Sequence, residues 1–178
     1  MDGKLMLEST YGEGSVFEFS VPLKPVSKKA TENKKTLEEK DLKIFKSKKK
    51  AEKQPILIVE DNPSNVEILS HHLEEFGCAF DVSMSGKEAL AKAKEKDYSC
   101  ILMDIQMEGL SGFETYSKMK SSKKIKTKDM KVFAVSAHVQ DEIKKKSKEI
   151  GMDGFIEKPI EIQSLYKILK TVFAGTSS

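Results

Sequence analysis

From residue 56 onward, short apolar runs alternate along the chain with longer amphipathic stretches. The runs at 56–59, 100–103 and 132–135 are continuously apolar, as expected of strands that helices cover on both faces. The segment 79–83 alternates apolar with polar residues and the segment 155–156 is very short, which favours strands at the sheet edges. The pattern therefore predicts central strands flanked by two edge strands.

Each predicted strand is followed by an amphipathic stretch with the marks of a helix. Pro63 suits the first turn of the first helix, and Gly77 suits its end. Ser85 and Ser111 each precede a glutamate by three residues, which is the spacing of a capping box at a helix start. The apolar positions that predict the last two helices are Val139, Ile143 and Ile150, then Ile162, Leu165, Leu169 and Val172. This order predicts an α/β fold, a (βα)5 doubly wound parallel sheet whose ligand crevice lies at the carboxyl ends of the strands.

Residues 24–53 do not continue this pattern. They hold 12 Lys against five acidic residues, a charge of +7 within a chain whose net charge is +3. A segment with so few apolar residues buries too little surface to fold alone, so we interpret it as a Lys-rich linker. The chain then divides into residues 1–23, the linker at 24–53, a folded domain at 54–173 and a tail at 174–178.

The composition excludes several classes of protein. The longest apolar run has four residues, whereas a membrane-spanning helix needs about 20, so no membrane insertion is expected. All 31 basic residues are Lys, and without the guanidinium fork of Arg no nucleic-acid partner is expected. The two cysteines are too few for a disulfide framework. Together these features predict a cytoplasmic protein.

Polar residues follow the predicted strands at the points where the strands end. Glu60 and Asp61 follow the first strand, Asp104 the third and Ser136 the fourth, while Lys158 follows the fifth. Because the carboxyl ends of parallel strands meet at one edge, these side chains should share one crevice. Acids that close to one another repel, and a hard divalent cation such as Mg²⁺ would neutralise them. A lysine beside a carboxylate nucleophile suits phosphoryl transfer.

Five short motifs contain these residues in order along the chain. They read ILIVEDN at 56–62, ILMDIQM at 101–107, GFE at 112–114, VSAH at 135–138 and EKP at 157–159. In this order and at this spacing they strongly resemble the receiver domain of two-component response regulators. The resemblance implies a flavodoxin-like receiver fold with the strand order 2-1-3-4-5.

The resemblance also implies a role for each residue of the crevice. Asp104 is expected to accept a phosphoryl group, and Lys158 and Ser136 are expected to contact that group. The expected ligands of Mg²⁺ are Glu60, Asp61, Asp104 and the backbone carbonyl of Gln106. The resemblance thus implies that these polar residues form a catalytic site that binds Mg²⁺.

Further residues match positions that control signalling in the family. Ser136, Phe155 and Pro159 are expected to form the switch, with a cis peptide bond before the proline. Gln106 and His138 are expected to modulate the lifetime of the aspartyl phosphate. Glu108 stands where the family commonly has Pro, which removes a φ constraint and adds an acid near the crevice. We expect this departure to change loop dynamics or metal affinity.

Residues 1–23 have a separate resemblance. They look like the last hairpin of a histidine-kinase ATPase domain, with Gly12, Gly14 and Ser15 at its turn. The segments that would bind ATP are absent from this stretch, so no independent kinase activity is expected. The chain as a whole resembles the carboxyl-terminal fragment of a hybrid histidine kinase.

The expected function is a phosphorelay receiver that takes a phosphoryl group from phosphohistidine onto Asp104 and catalyses its own phosphorylation and dephosphorylation. Its expected partner is a histidine kinase or a histidine phosphotransfer protein. One alternative is a phosphatase of haloacid-dehalogenase type, although that family needs Asp-x-Asp and Gln106 stands at the second position. Another is a pseudo-receiver that binds a partner without phosphorylation.

Overall fold

The structure is a computed structural model that describes residues 3–12, 14–22, 54–128, 130–137 and 141–174. The chain divides into two compact units, residues 1–36 and residues 37–178. The predicted linker at 24–53 lies outside the described residues, as do positions 175–178 of the predicted tail. The boundaries proposed from the sequence therefore stay predictions.

The described part of the first unit is a two-stranded antiparallel hairpin. Its strands are β1 (Lys4–Thr10) and β2 (Gly14–Ser20). Leu5 pairs with Phe19 and Leu7 pairs with Phe17, so these four side chains lie on one face of the hairpin. Every residue of both strands is exposed.

The second unit contains a five-stranded sheet with helices between its strands. Its elements are β3 (Ile56–Val59), α1 (Pro63–Glu75), β4 (Phe80–Ser83), α2 (Gly86–Glu95), β5 (Cys100–Asp104), α3 (Gly112–Ser121), β6 (Lys131–Ser136), α4 (Asp141–Glu149), β7 (Gly154–Glu157) and α5 (Ile162–Ala174). All of the strand pairs in this sheet are parallel. The spatial order is β4-β3-β5-β6-β7, which confirms the predicted order 2-1-3-4-5.

The buried core lies on both faces of the sheet. Ile56 and Ile58 face one cluster of apolar residues, while Leu57 and Val59 face the other, as the alternation of a strand requires. Helices α1 and α5 cover the first face, and α2 and α3 cover the second. Buried on both sides, β3 and β5 are apolar at nearly every position, which confirms the predicted central strands and the doubly wound fold.

Helices α1, α2 and α3 all begin where the sequence signals place them. Before α1, the Asn62 side chain accepts a hydrogen bond from the Ser64 amide. Before α3, Ser111 and Glu114 form the complete predicted capping box. Before α2, the Ser85 side chain accepts from the Glu88 amide as predicted, but the Glu88 carboxylate accepts from the amide of Met84 and so leaves the box half formed.

Strand β4 forms one edge of the sheet, and lysines of the following helix and loop cover it. The Lys92 ammonium donates to the backbone carbonyl of Val82, and Lys96 lies 2.7 Å from the carboxylate of Asp81. Charged side chains on an edge strand obstruct pairing with another strand. Within the described part of the chain, no helix has both the length and the apolar character needed to cross a membrane.

Candidate functional site

The polar residues predicted to converge do so at the carboxyl edge of the sheet. Glu60 directly follows β3, Asp104 ends β5, and Lys158 directly follows β7. The Lys158 Nζ lies 2.6 Å from Asp104 Oδ2 and 2.6 Å from Glu60 Oε2. A carboxylate oxygen of Asp61 lies within 4.8 Å of carboxylate oxygens of both Glu60 and Asp104. Residues distant in sequence thus form one compact charged cluster.

The central groups of this cluster are largely removed from water. The side chains of Glu60, Asp104 and Lys158 expose 2%, 4% and 17% of their surface. A buried charge is costly unless it is paired and hydrogen-bonded. Lys158 pairs with both buried carboxylates at once, so one ammonium serves two acids.

Burial and the neighbouring charges shift the pKa values of Asp104 and Lys158. Burial raises the pKa of the Asp104 carboxyl above its ordinary value, and the nearby charge of Glu60 adds to the rise, although hydrogen bonds from Lys158 and the Gln106 amide oppose it. For Lys158, burial alone would lower the pKa, but the hydrogen bonds and charges of the two acids outweigh it and raise the pKa. Lys158 is therefore held in its cationic form.

Neutral donors hold the remaining carboxylate oxygens. The side-chain amide of Asn65 donates to Glu60 Oε1 at 2.9 Å, and the backbone amide of Asn62 lies 3.3 Å from the same oxygen. The Gln106 amide donates to Asp104 Oδ1 at 2.9 Å. Asn65 was not among the predicted site residues; it lies in the first turn of α1, where no sequence signal marks a contact with Glu60.

Glu108 enters the site through its backbone. Its amide donates to Asp61 Oδ2 at 2.9 Å, although its side chain is exposed. A proline at this position has no N–H and could not make the contact. The departure noted in the sequence therefore has a structural consequence, which is a hydrogen bond between the loop after β5 and an acid after β3.

The donor set fits a hard divalent cation. All three clustered acids offer carboxylate oxygens, the ligand type that Mg²⁺ prefers. Three carboxylates against one ammonium leave a formal charge of minus two, because three negative charges meet one positive charge. A divalent cation beside Lys158 would neutralise that excess.

The predicted switch residues lie on or just after β6 and β7, the two strands on one side of the strand that ends in Asp104. Ser136 ends β6 with its surface fully buried, and its backbone carbonyl accepts from the Lys158 amide at 2.8 Å. Phe155 in β7 is 42% exposed, with the Lys144 ammonium 5.6 Å from its ring centre. The bond before Pro159 is cis, as predicted. His138 lies outside the described residues.

The start of α3 packs closely against the backbone of the site. A Cβ atom on Gly112 would lie 2.2 Å from the carbonyl oxygen of Asp104 and 2.9 Å from the Cα atom of Ile105. Contacts that short do not occur between real atoms, so only glycine fits. The glycine of the GFE motif thus lets the helix approach the loop that carries Asp104.

Comparison with known proteins gives relatives for this arrangement. The chain is 37% identical over 119 residues to hybrid signal transduction histidine kinase L of Dictyostelium discoideum, an alignment that covers 65% of this chain and 7% of that kinase. It is 29% identical over 167 residues to the autoinducer 2 sensor kinase/phosphatase LuxQ of Vibrio vulnificus, which covers 93% of this chain and 18% of LuxQ. The chain therefore spans only a small part of these relatives.

Solved structures with the same fold include a chemotaxis protein and a complex that contains a receiver domain. The chemotaxis protein CheY4 of Vibrio cholerae has a TM-score of 0.63 and 27% identity, covering 68% of this chain and 99% of CheY4. A chain in the co-crystal structure of the Saccharomyces cerevisiae phosphotransfer protein Ypd1 with the receiver domain of Ssk1 has a TM-score of 0.64 and 26% identity, covering 71% and 92%.

A family model matches most of the second unit. It is described as the response regulator receiver domain, and the match runs over residues 56–170, from β3 into α5. The matched segment contains the acids, the lysine and the cis peptide bond described above. This chain belongs to the response regulator receiver family.

Proposed function

We propose that Asp104 is the residue that accepts a phosphoryl group from phosphohistidine in a phosphorelay. One observation carries this proposal: the Asp104 carboxylate is buried yet lies at the strand end, 2.6 Å from the Lys158 ammonium and within the acidic cluster. A buried carboxylate beside a fixed cation is positioned to attack and to have its product neutralised. Membership of the receiver family supports the assignment.

In the proposed reaction, an Asp104 oxygen attacks the phosphorus of phosphohistidine. A P–O bond forms, the P–N bond breaks, and the imidazole nitrogen keeps the electron pair of that bond. In the later hydrolysis, water attacks the same phosphorus, the bond to Asp104 breaks, and inorganic phosphate leaves. Lys158 holds the charge of the group in both steps, since its raised pKa keeps it cationic.

The residues that would hold Mg²⁺ are Glu60, Asp61, Asp104 and the backbone carbonyl of Gln106. When bound, the ion would neutralise negative charge on the phosphoryl oxygens. Asp61 is held by the Glu108 amide and Glu60 by Asn65, so both acids are already oriented toward the crevice. The site is thereby arranged before the phosphoryl group arrives.

The readout is a change in the surface formed around α4, β7 and α5. The phosphoryl group adds negative charge near Ser136, which ends β6, and Lys158, which follows β7, and both are proposed to move toward it. Phe155 follows, because it lies one strand from Ser136 and is half exposed. Gln106 and His138 modulate how long the phosphorylated state lasts.

The proposed partner is a histidine kinase or a histidine phosphotransfer protein. The solved complex of Ypd1 with the receiver domain of Ssk1 supports the second class.

We assign the protein to the cytoplasm, since both cysteines are free thiols, as expected in a reducing compartment.

Residues 1–23 are proposed to derive from the ATPase domain of a hybrid histidine kinase. The alignment with the sensor kinase LuxQ covers 93% of the chain, so it extends well before the receiver match that begins at residue 56. The hairpin of β1 and β2 is the element expected from that resemblance. In this proposal, residues 24–53 tether the hairpin to the receiver domain. The chain has no independent kinase activity.

Intact mass spectrometry after incubation with phosphoramidate tests the acceptor. Phosphoramidate is preferable to acetyl phosphate, because acetyl transfer to any of the 31 Lys residues would complicate the spectrum. We expect one phosphoryl adduct that requires Mg²⁺ and is absent from Asp104→Asn. Asp97→Asn is the matched control, since Asp97 pairs with Lys126 away from the site and should keep the adduct.

Other outcomes would separate the alternatives. An adduct that persists in Asp104→Asn would place the acceptor elsewhere. No adduct under any condition would favour a pseudo-receiver. Turnover of an aryl phosphate beyond one equivalent would favour a phosphatase, for which family membership gives no support.

A further inference from the structure

We infer that Asn65 is a positioning residue for the metal site: its side-chain amide fixes Glu60 so that only Oε2 is presented to the cation. The inference rests on the proposed function of the acidic cluster. It concerns a residue outside the five sequence motifs that identify the cluster.

The first step is the burial of Glu60. Its side chain exposes 2% of its surface, so protein groups must replace water around the carboxylate. Oε1 lies 2.9 Å from the Asn65 side-chain amide and 3.3 Å from the Asn62 backbone amide. The Asn65 bond is the shorter of the two, and it fixes the rotation of the carboxylate.

The second step is the occupancy of the other oxygen. Oε2 lies 2.6 Å from the Lys158 ammonium, which also contacts Asp104. A lysine that turns toward a phosphoryl group would release Oε2 while Oε1 stays bonded to Asn65. A neutral donor suits this role because it orients the carboxylate without competing for its charge.

The third step concerns the position of Asn65 in the helix. It is the third residue of α1, in the first turn but beyond the cap position. The usual reason for Asn near a helix start is capping, but Asn62 already accepts from the Ser64 amide. Its contact with Glu60 explains why an asparagine stands at position 65.

The test is Mg²⁺ affinity, measured by titration calorimetry on the full unphosphorylated chain. We expect Asn65→Ala to bind Mg²⁺ about tenfold more weakly, the scale on which groups that orient a metal ligand act. Ser64→Ala is the matched control: it removes an exposed side chain from the same turn of α1 and leaves the bond between Asn65 and Glu60 Oε1, so its affinity should stay within about twofold of the parent. Phosphorylation is not needed, so failure of the acceptor proposal would be seen separately.

A double-mutant cycle separates positioning from general loosening of the fold. If Asn65 acts through Glu60, Asn65→Ala should cause no further loss of affinity in a Glu60→Gln background. Should Asn65→Ala fail to fold, as judged by circular dichroism, Asn65→Leu offers similar size without a donor and should show the same loss. Unchanged affinity in the folded variant, additive losses in the cycle, or no Mg²⁺ binding by the parent chain would each overturn the inference.

Discussion

At the scale of single residues, the site is governed by one lysine between two buried acids. Lys158 lies 2.6 Å from an oxygen of each, and a third acid, Asp61, stands within reach of both. A single positive charge cannot compensate three carboxylates. The unphosphorylated site therefore retains negative charge that a cation can use.

Burial makes Asp104 costly to ionise. Burial raises the pKa of Asp104 above the ordinary value of an aspartate, and the nearby charge of Glu60 adds to the rise. When the folded-state pKa of an acid exceeds its unfolded-state pKa, ionisation opposes folding. The cost is absent below the ordinary pKa and fully present above the raised one, so it lowers stability at neutral pH.

Asp104→Asn should therefore melt at a higher temperature than the parent at pH 7 in metal-free buffer. The advantage should disappear as the pH falls through the raised pKa toward the ordinary one, because the parent carboxyl then becomes protonated. Thermal unfolding followed by circular dichroism at several pH values measures this. Mg²⁺ should reduce the difference at pH 7, and a variant less stable than the parent at every pH would contradict the assigned direction.

Sequence reasoning found the charged residues of the site because strand ends converge. Glu60 and Asp104 directly follow short apolar runs, Lys158 follows one after Glu157, and parallel strands bring those positions to one edge. It did not find Asn65, whose contact depends on the first turn of α1, nor the Glu108 amide. The sequence does not show which backbone N–H groups donate to side chains, so contacts of that kind are visible only in the structure.

At the scale of elements, the junction of β5 and α3 is closely packed against the site. Gly112 lies where a Cβ atom would be 2.2 Å from the carbonyl oxygen of Asp104. Gly112→Ala should destabilise the protein by about 1 to 3 kcal/mol, the usual cost of overpacking. It should also slow phosphorylation, because the backbone that carries Asp104 has to shift.

Chemical denaturation and phosphorylation by phosphoramidate check both parts of this prediction. Ser121→Ala is the matched control at the opposite end of the same helix, where the side chain is exposed, and should change stability by less than about 0.5 kcal/mol. Full stability and rate in Gly112→Ala would show that the helix can move away from the site at no cost.

Among the elements, the central strands were the easiest to predict and the helix starts less so. Strands β3 and β5 are apolar on both faces because helices cover both faces, and this pattern is visible in the sequence. One of the two hydrogen bonds of the capping box predicted before α2 is wrong. Its glutamate bonds Met84 rather than the backbone of Ser85, a choice between adjacent amides that spacing alone does not determine.

At the scale of the whole molecule, the two units differ in how much surface they bury. Strands β3 and β5 are fully buried, whereas every residue of β1 and β2 is exposed. A two-stranded hairpin is at best marginally stable in water. The two units should therefore open independently and with different free energies.

Hydrogen exchange measured by mass spectrometry should show this difference. We expect amides in peptides from residues 4–20 to exchange within seconds, and those from residues 56–59 and 100–104 to be protected by several orders of magnitude. Strong protection of the hairpin in a monomeric sample would show that its apolar face is covered.

The lysines on the β4 edge bear on how the receiver domain behaves in concentrated solution. The Lys92 ammonium donates a hydrogen bond to the carbonyl of Val82, and Lys96 forms a salt bridge with Asp81 on the same strand. A foreign strand that tried to extend the sheet there would have to displace these side chains and leave the carboxylate without its partner. Protection against aggregation is thus built into one border of the fold, independently of the chemistry at its carboxyl edge.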